Sequence, residues 1–183
     1  LAEDLKLTSV YNTLGAIAVE ASRAEKKDKT KAANNLNKGL EFLKKASESD
    51  PEDPESRFNY SVALYLTNNF AETAAQVKPV LATNPRDGEA YYLLAKALQK
   101  TGDGTAADFD NQARRFLTNY AKLETDFQRT GTIEGVQLRV VQPPRKDFVS
   151  VIMIKNRKDS VAPTNFDETD ALLEQAQTAY KAV

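Results

Sequence analysis

The 183-residue chain contains no histidine and no cysteine, so any chemistry must come from carboxylates, Lys, Tyr, Ser or Thr. Without imidazole or thiolate there is no triad that uses His, no Cys nucleophile and no zinc site of the usual kind. The chain carries 26 acidic residues. Pairs such as Asp108 with Asp110 and Glu168 with Asp170 fall on polar helix faces or near helix N-termini, where a carboxylate favours the dipole. Nothing in the sequence gives them the apolar setting that raises a carboxyl pKa for acid–base work. The run Asp50-Pro51-Glu52-Asp53-Pro54-Glu55 offers oxygen ligands to a hard cation, but its spacing matches no calcium loop and reads as an acidic linker. Gly102-Asp103-Gly104 lacks the strand and longer fingerprint of a phosphate loop and reads as a turn between helices. The expectation is a protein that is not an enzyme, with no cofactor and no metal site.

Composition agrees with a binding or structural role. Hydrophobic residues make up 41% and charged residues 28% of the chain, and the net charge is −1. That balance suits a soluble domain and supplies no global field toward nucleic acid or anionic lipid. No apolar run approaches the ~20 residues that span a bilayer. Both the cytoplasm and a bacterial periplasm suit a chain without cysteine. The sequence begins at Leu1 rather than Met, which reads as a removed N-terminus and leaves a leader or anchor open.

The elements that would position any site are helices repeating at a fixed interval. Gly88 opens the same pattern as Pro54, 34 positions earlier. Tyr60-Ser61 returns as Leu94-Ala95, Leu64 as Leu98, Thr73 as Ala107 and Glu55 as Glu89, and Asn84-Pro85 repeats Asp50-Pro51. Phe58, Tyr60 and Leu64 recur at helical steps. Ser61 is small, which lets a second helix approach. Asn68-Asn69 ends the first helix, because Asn tolerates the left-handed conformation. The second helix turns Phe70, Ala74, Val77, Val80 and Leu81 inward, and Pro85 stops it.

A period of 34 with large and small residues in these places resembles the tetratricopeptide repeat (TPR) family of non-enzymatic helical scaffolds. Where that family has Trp, Leu, Gly, Tyr, Ala, Phe and Pro, the repeat at 54–87 has Arg57, Tyr60, Ser61, Leu64, Thr73, Val77 and Pro85. The repeat from Gly88 has Tyr91, Leu94, Ala95, Leu98 and Ala107, then Asn111 and Asn119 where Phe and Pro belong. The resemblance implies a mainly α, TPR-like α-solenoid of stacked antiparallel helix pairs. It extends to a degenerate repeat at 5–50. There Tyr11, Leu14 and Gly15 copy the opening motif, with Leu7, Val10, Ile17, Ala18 and Ala21 on the stripe. Its second helix, 30–47, turns Leu36, Leu40, Leu43 and Ala46 inward around Gly39. Lys26, Lys27, Lys29 and Lys31, interleaved with Glu25 and Asp28, form a solvated face between the two.

Beyond the repeats the pattern changes. Residues 105–129 read as one long helix, with Phe109, Ala113, Phe116, Leu117, Tyr120, Leu123 and Phe127 in helical register. The third repeat, 88–130, therefore has an extended second helix that Gly131 ends. Residues 131–163 read as an inserted short β-hairpin and loop. Val136, Leu138 and Val140 alternate with polar residues, prolines follow at Pro143 and Pro144, and 148–154 is rich in β-branched residues. An isolated hairpin is marginal in water, so its apolar face is expected on the long helix. Residues 164–183, capped by Asp167, read as the first helix of a further repeat cut short, as in a fragment of a longer repeat protein.

In the family, first helices line a concave groove. The resemblance places Phe58, Asn59, Val62, Tyr65, Tyr92, Leu93 and Lys96 on it. Some TPR domains clamp a C-terminal carboxylate with a fixed Lys, Asn and Arg set; Phe58 and Val62 stand where that clamp needs polar groups, which disfavours it here. Two readings of the groove remain: it binds a peptide or helix of a protein partner, or the chain's own hairpin or long helix fills it. The leading function is a protein–protein interaction scaffold. The alternative is a structural spacer or self-associating segment of a longer repeat protein. Nucleic-acid binding through Arg139, Arg145, Lys146, Lys155, Arg157 and Lys158 ranks below both.

Overall fold

A computed structural model describes residues 2–140, with side chains from Leu7 onward. Seven helices run through this compact unit: α1 (Ala2–Ala24), α2 (Lys29–Ser49), α3 (Pro54–Leu66), α4 (Phe70–Thr83), α5 (Gly88–Thr101), α6 (Ala106–Phe116) and α7 (Tyr120–Thr130). The expected mainly α class holds for the described residues, and successive helices from α1 to α6 pack on their neighbours.

Aspartates start three of the helices. Asp28, Asp53 and Asp87 each cap a helix by accepting from a backbone N–H of the first turn, and Pro54 fills the first position of α3, where its missing donor costs nothing. Asn68, at φ 63, takes the left-handed conformation that ends α3, and Asn69 N–H closes the turn on Leu64 C=O at 2.8 Å. Gly102 and Gly131, at φ 73 and 74, end α5 and α7 in the same way. The glycine pair at 102–104 is thus a turn between helices. Asn84 is non-helical ahead of Pro85, so α4 stops at Thr83.

Small residues set the helix contacts. A Cβ on Gly15 would stand 2.7 Å from Leu43 Cδ2, and one on Gly39 would stand 2.8 Å from Val19 Cγ2. The two glycines therefore bring α1 and α2 together. Ser61 and Ala95 are fully buried. One cluster joins Val19, Leu43, Tyr60, Ala63 and Leu64. A larger one runs from Phe58, Val62 and Tyr65 through α4, α5 and α6 to Tyr120, Leu123, Ile133 and Val136. Helix α3 belongs to both, so it is buried nearly all round.

Three expectations need correction. The long helix at 105–129 is two helices. Leu117, with ψ 120, leaves the helical region. There the chain crosses the start of α5 so closely that a Cβ on Gly88 would stand 2.7 Å from Leu117 Cγ. The break lets α7 turn Tyr120 and Leu123 onto Tyr92, which a straight helix would carry away. Secondly, Val136, Leu138 and Val140 form no strand; residues 137–140 are neither helix nor strand. The remainder of the hairpin, 141–154, and the last helix at 164–183 lie outside the described residues. Thirdly, Ile17 is exposed instead of buried on the α1 stripe, and Phe42 is the buried aromatic on α2 that the stripe omitted.

Candidate functional site

All seven residues placed in the groove are buried: Phe58, Asn59, Val62 and Leu93 are 0% exposed, Tyr92 and Lys96 1%, and Tyr65 2%. The structure brings them to one side of α3 and α5, but none is open to a ligand. Two parts of the chain cover them. Helix α7 lies over Tyr92 and Lys96, and the non-helical segment 131–140, called here the strap, lies over Phe58 and Asn59.

Under α7, Lys96 Nζ sits 2.6 Å from Glu124 Oε2 and 3.5 Å from Asp110 Oδ1. It also lies over the rings of Tyr92 and Phe127, at 4.9 and 4.8 Å from their centroids. Two carboxylates and two aromatic faces compensate one buried ammonium. Tyr92 donates to Leu123 C=O at 3.1 Å and meets Tyr120 edge to face. Burial, then the Glu124 charge, raises the Tyr92 hydroxyl pKa. Tyr120 in turn donates to Asp110 Oδ2 at 2.6 Å. Asp110, read in the sequence as a surface acid, is therefore a partner of a buried lysine. Tyr65 meets Phe70 edge to face, and its hydroxyl finds no partner among the described protein groups.

Under the strap, Asn59 supplies the grip. Its Oδ1 accepts from Arg139 N–H at 2.7 Å, and its Nδ2 donates to Arg139 C=O. The N–H and C=O of one residue are bonded together as a neighbouring strand would bond them. Asn12 of α1 donates to the same carbonyl at 2.9 Å and accepts from Asn59 Nδ2 at 2.9 Å, so both buried amides are held in place. Further back, Arg23 of α1 donates to Val136 C=O at 2.9 Å and Ile133 C=O at 3.3 Å. Those carbonyls belong to the turn closed by Val136 N–H on Ile133 C=O.

The Arg139 side chain enters a pocket that sequence reasoning missed. Its guanidinium stands 3.5 Å from the centroid of the Phe58 ring. It donates with both Nη atoms to the two carboxylate oxygens of Asp87, each at 2.7 Å, a bidentate fork. Glu89 and Glu55 complete the acidic wall, each at 3.5 Å. Burial opposes the guanidinium charge, but the hydrogen bonds to Asp87 and the charges of Glu55 and Glu89 outweigh it and raise the pKa. Burial raises the Glu89 carboxyl, against the lowering effect of Arg139. Asp87 also caps α5, accepting from Ala90 N–H at 3.0 Å, so the helix start fixes the fork. Glu55 and Glu89 correspond at the 34-residue interval, and that recurrence was the available signal. Arg139 falls among the basic residues of the expected hairpin, which gives no sign of this partner set.

The arrangement can hold the main chain and one arginine of a non-helical segment. Among the described residues no cluster of acidic side chains is placed to hold a metal ion. No described helix is long and apolar enough to cross a membrane. Neither protein-family models nor curated proteins match the chain.

Proposed function

We propose that this chain is a protein–protein interaction scaffold: a TPR-like α-solenoid whose first helices form a concave groove for an extended peptide. Three features support the TPR-like reading. The sequence interval recurs in the caps, Asp53 and Asp87 standing 34 positions apart at equivalent helix starts. Small residues stand at the helix contacts. The break at 117–119 falls where the interval calls for one, since Asn119 follows Pro85 by the same 34 positions.

One observation carries the binding reading. Asn59 and Asn12 hold the backbone of residue 139, so the face formed by α1 and α3 is suited to main chain whatever its side chains. The strap is then an occupant of the groove. The groove is not open as an apo receptor would be. The second reading, a structural spacer, draws on that same coverage: with the strap tied to both α1 and α3, it acts as a brace and binds no partner.

Selecting random peptides against the wild-type chain and against Arg139→Ala separates the two. The scaffold reading expects peptides that bind Arg139→Ala more tightly than wild type and lose binding on Asn59→Ala. Peptides indifferent to Asn59, or none at all from either chain, would leave the spacer reading in place. Circular dichroism of each variant guards against loss of fold.

A further inference from the structure

The pocket around Arg139 is over-supplied with negative charge. Three carboxylates, Asp87, Glu89 and Glu55, face one guanidinium, which stands over the Phe58 ring. Asp87 is held by the α5 cap, Glu89 opens the same helix and Glu55 opens α3. The walls therefore belong to helix starts, whereas the occupant belongs to a segment with no secondary structure of its own. The Arg139 side chain keeps 18% of its surface exposed, so the occupant is not sealed in.

The rest of the grip is indifferent to side chains. Arg23, Asn12 and Asn59 bond carbonyls and an amide of residues 133, 136 and 139. The selective contacts are Ile133 and Val136, both buried, Leu138, partly buried, and Arg139, of which the last three are consecutive but for one position; Gln137 and Val140 face outward. A planar fork against Asp87 with a ring beneath selects guanidinium over ammonium.

We propose that this pocket is an arginine-selective peptide site: Arg139 fills it in cis, and a segment of a partner protein reading apolar–any–apolar–Arg fills it in trans. The proposal rests on the scaffold reading and names the ligand of the same groove. The strap competes as a tethered ligand, whose effective concentration reaches the millimolar range for a short connection. Trans binding is accordingly weak in the wild type and stronger once Arg139 is removed.

The probe is a labelled synthetic peptide with the sequence of residues 131–140, read by fluorescence anisotropy against the full chain. Arg139→Ala is expected to bind it more tightly than wild type does. Replacing the peptide's arginine by alanine should weaken binding about tenfold or more, as loss of a desolvated arginine anchor does, and lysine should not restore it. Equal binding of the arginine and alanine peptides would overturn the pocket's selectivity while leaving the scaffold reading intact. No binding of this peptide, with other peptides selected by the groove, would do the same; failure of every peptide would remove both. A wild-type dimer dissociated by the peptide would assign the pocket to exchange of straps between copies and overturn the partner proposal. If Arg139→Ala does not fold, hydrogen exchange of the wild type decides. Excess peptide should speed exchange at the amides of Val136 and Arg139, and unchanged exchange at saturation would overturn the proposal.

Discussion

Asn59 and Arg139, 80 positions apart, are joined through both backbone groups of the arginine and through one carboxamide. That link ties the end of the described chain to the helix at its centre. Removing the carboxamide leaves the Arg139 N–H and the Asn12 Oδ1 short of a partner, while Arg139 C=O keeps Asn12. Asn59→Ala is expected to cost about 1–3 kcal/mol in urea unfolding, as unsatisfied buried polar groups do. Asn59→Asp should cost more, because a carboxylate cannot donate to Arg139 C=O. Variants as stable as wild type would show that the link contributes nothing.

Lys96→Met tests the buried ion cluster. The change leaves Asp110 and Glu124 facing each other without the ammonium between them. Breaking a buried pair typically costs 3–5 kcal/mol. The lower end, about 3 kcal/mol, is expected here, because the two carboxylates keep 16% and 25% of their side-chain surface. Adding Asp110→Asn and Glu124→Gln to Lys96→Met should recover part of the loss. Chemical denaturation of the wild type and both variants checks both statements.

The helix contacts are expected to resist enlargement. Gly39→Ala would drive its Cβ against Val19, including the backbone N of Val19 at 3.1 Å. Ser61→Leu and Ala95→Leu place a larger side chain at fully buried positions. Each should lower stability by roughly 1–3 kcal/mol through overpacking. Unchanged melting temperatures would move these residues away from the close contacts.

Alkaline pH should unfold the domain through its tyrosines. Burial, followed for Tyr60 by the hydrogen bond to Glu72 and for Tyr120 by that to Asp110, pushes both hydroxyls up to about 12. Burial alone does the same for Tyr65. In the unfolded chain a tyrosine titrates near ~10. A pKa raised in the folded state means its stabilising contribution is complete below the unfolded value and is lost as pH rises through the folded one. Urea midpoints should therefore fall between about pH 10 and pH 12, as tyrosinate absorbance grows. A flat profile across that window would contradict the burial of these rings.

The helices were legible because their signals are local. Asp53 and Asp87 before each first helix, Asn68 and Gly102 after it, and small residues at 34-residue intervals each act within one or two turns. The break at Leu117 was not legible as a local signal, since Phe116, Leu117 and Tyr120 continue a helical stripe and no proline or glycine interrupts it. What breaks the helix is the close crossing at Gly88.

The seven groove residues lie on α3 and α5, and their burial agrees with the reading in which the chain's own segments cover the groove. Phe58, Tyr60, Val62, Ala63, Leu64 and Tyr65 leave α3 almost no polar side, and a helix apolar all round is a buried one. That pattern could have told that the concave side is covered. The Arg139 pocket joins residues from three separate stretches, 55–58, 87–89 and 139, and only the folded chain brings them together.

Amide hydrogen exchange at Arg139, resolved by residue, tests the grip of the groove on the strap most directly. In the wild type the Arg139 N–H, bonded at 2.7 Å to buried Asn59 Oδ1, should exchange far more slowly than an unprotected amide. In Asn59→Ala that protection should vanish while the amides of α3 and α5 keep theirs. Exchange at the unprotected rate in the wild type would contradict the account, because the strap would then not occupy the face formed by Asn12, Phe58 and Asn59.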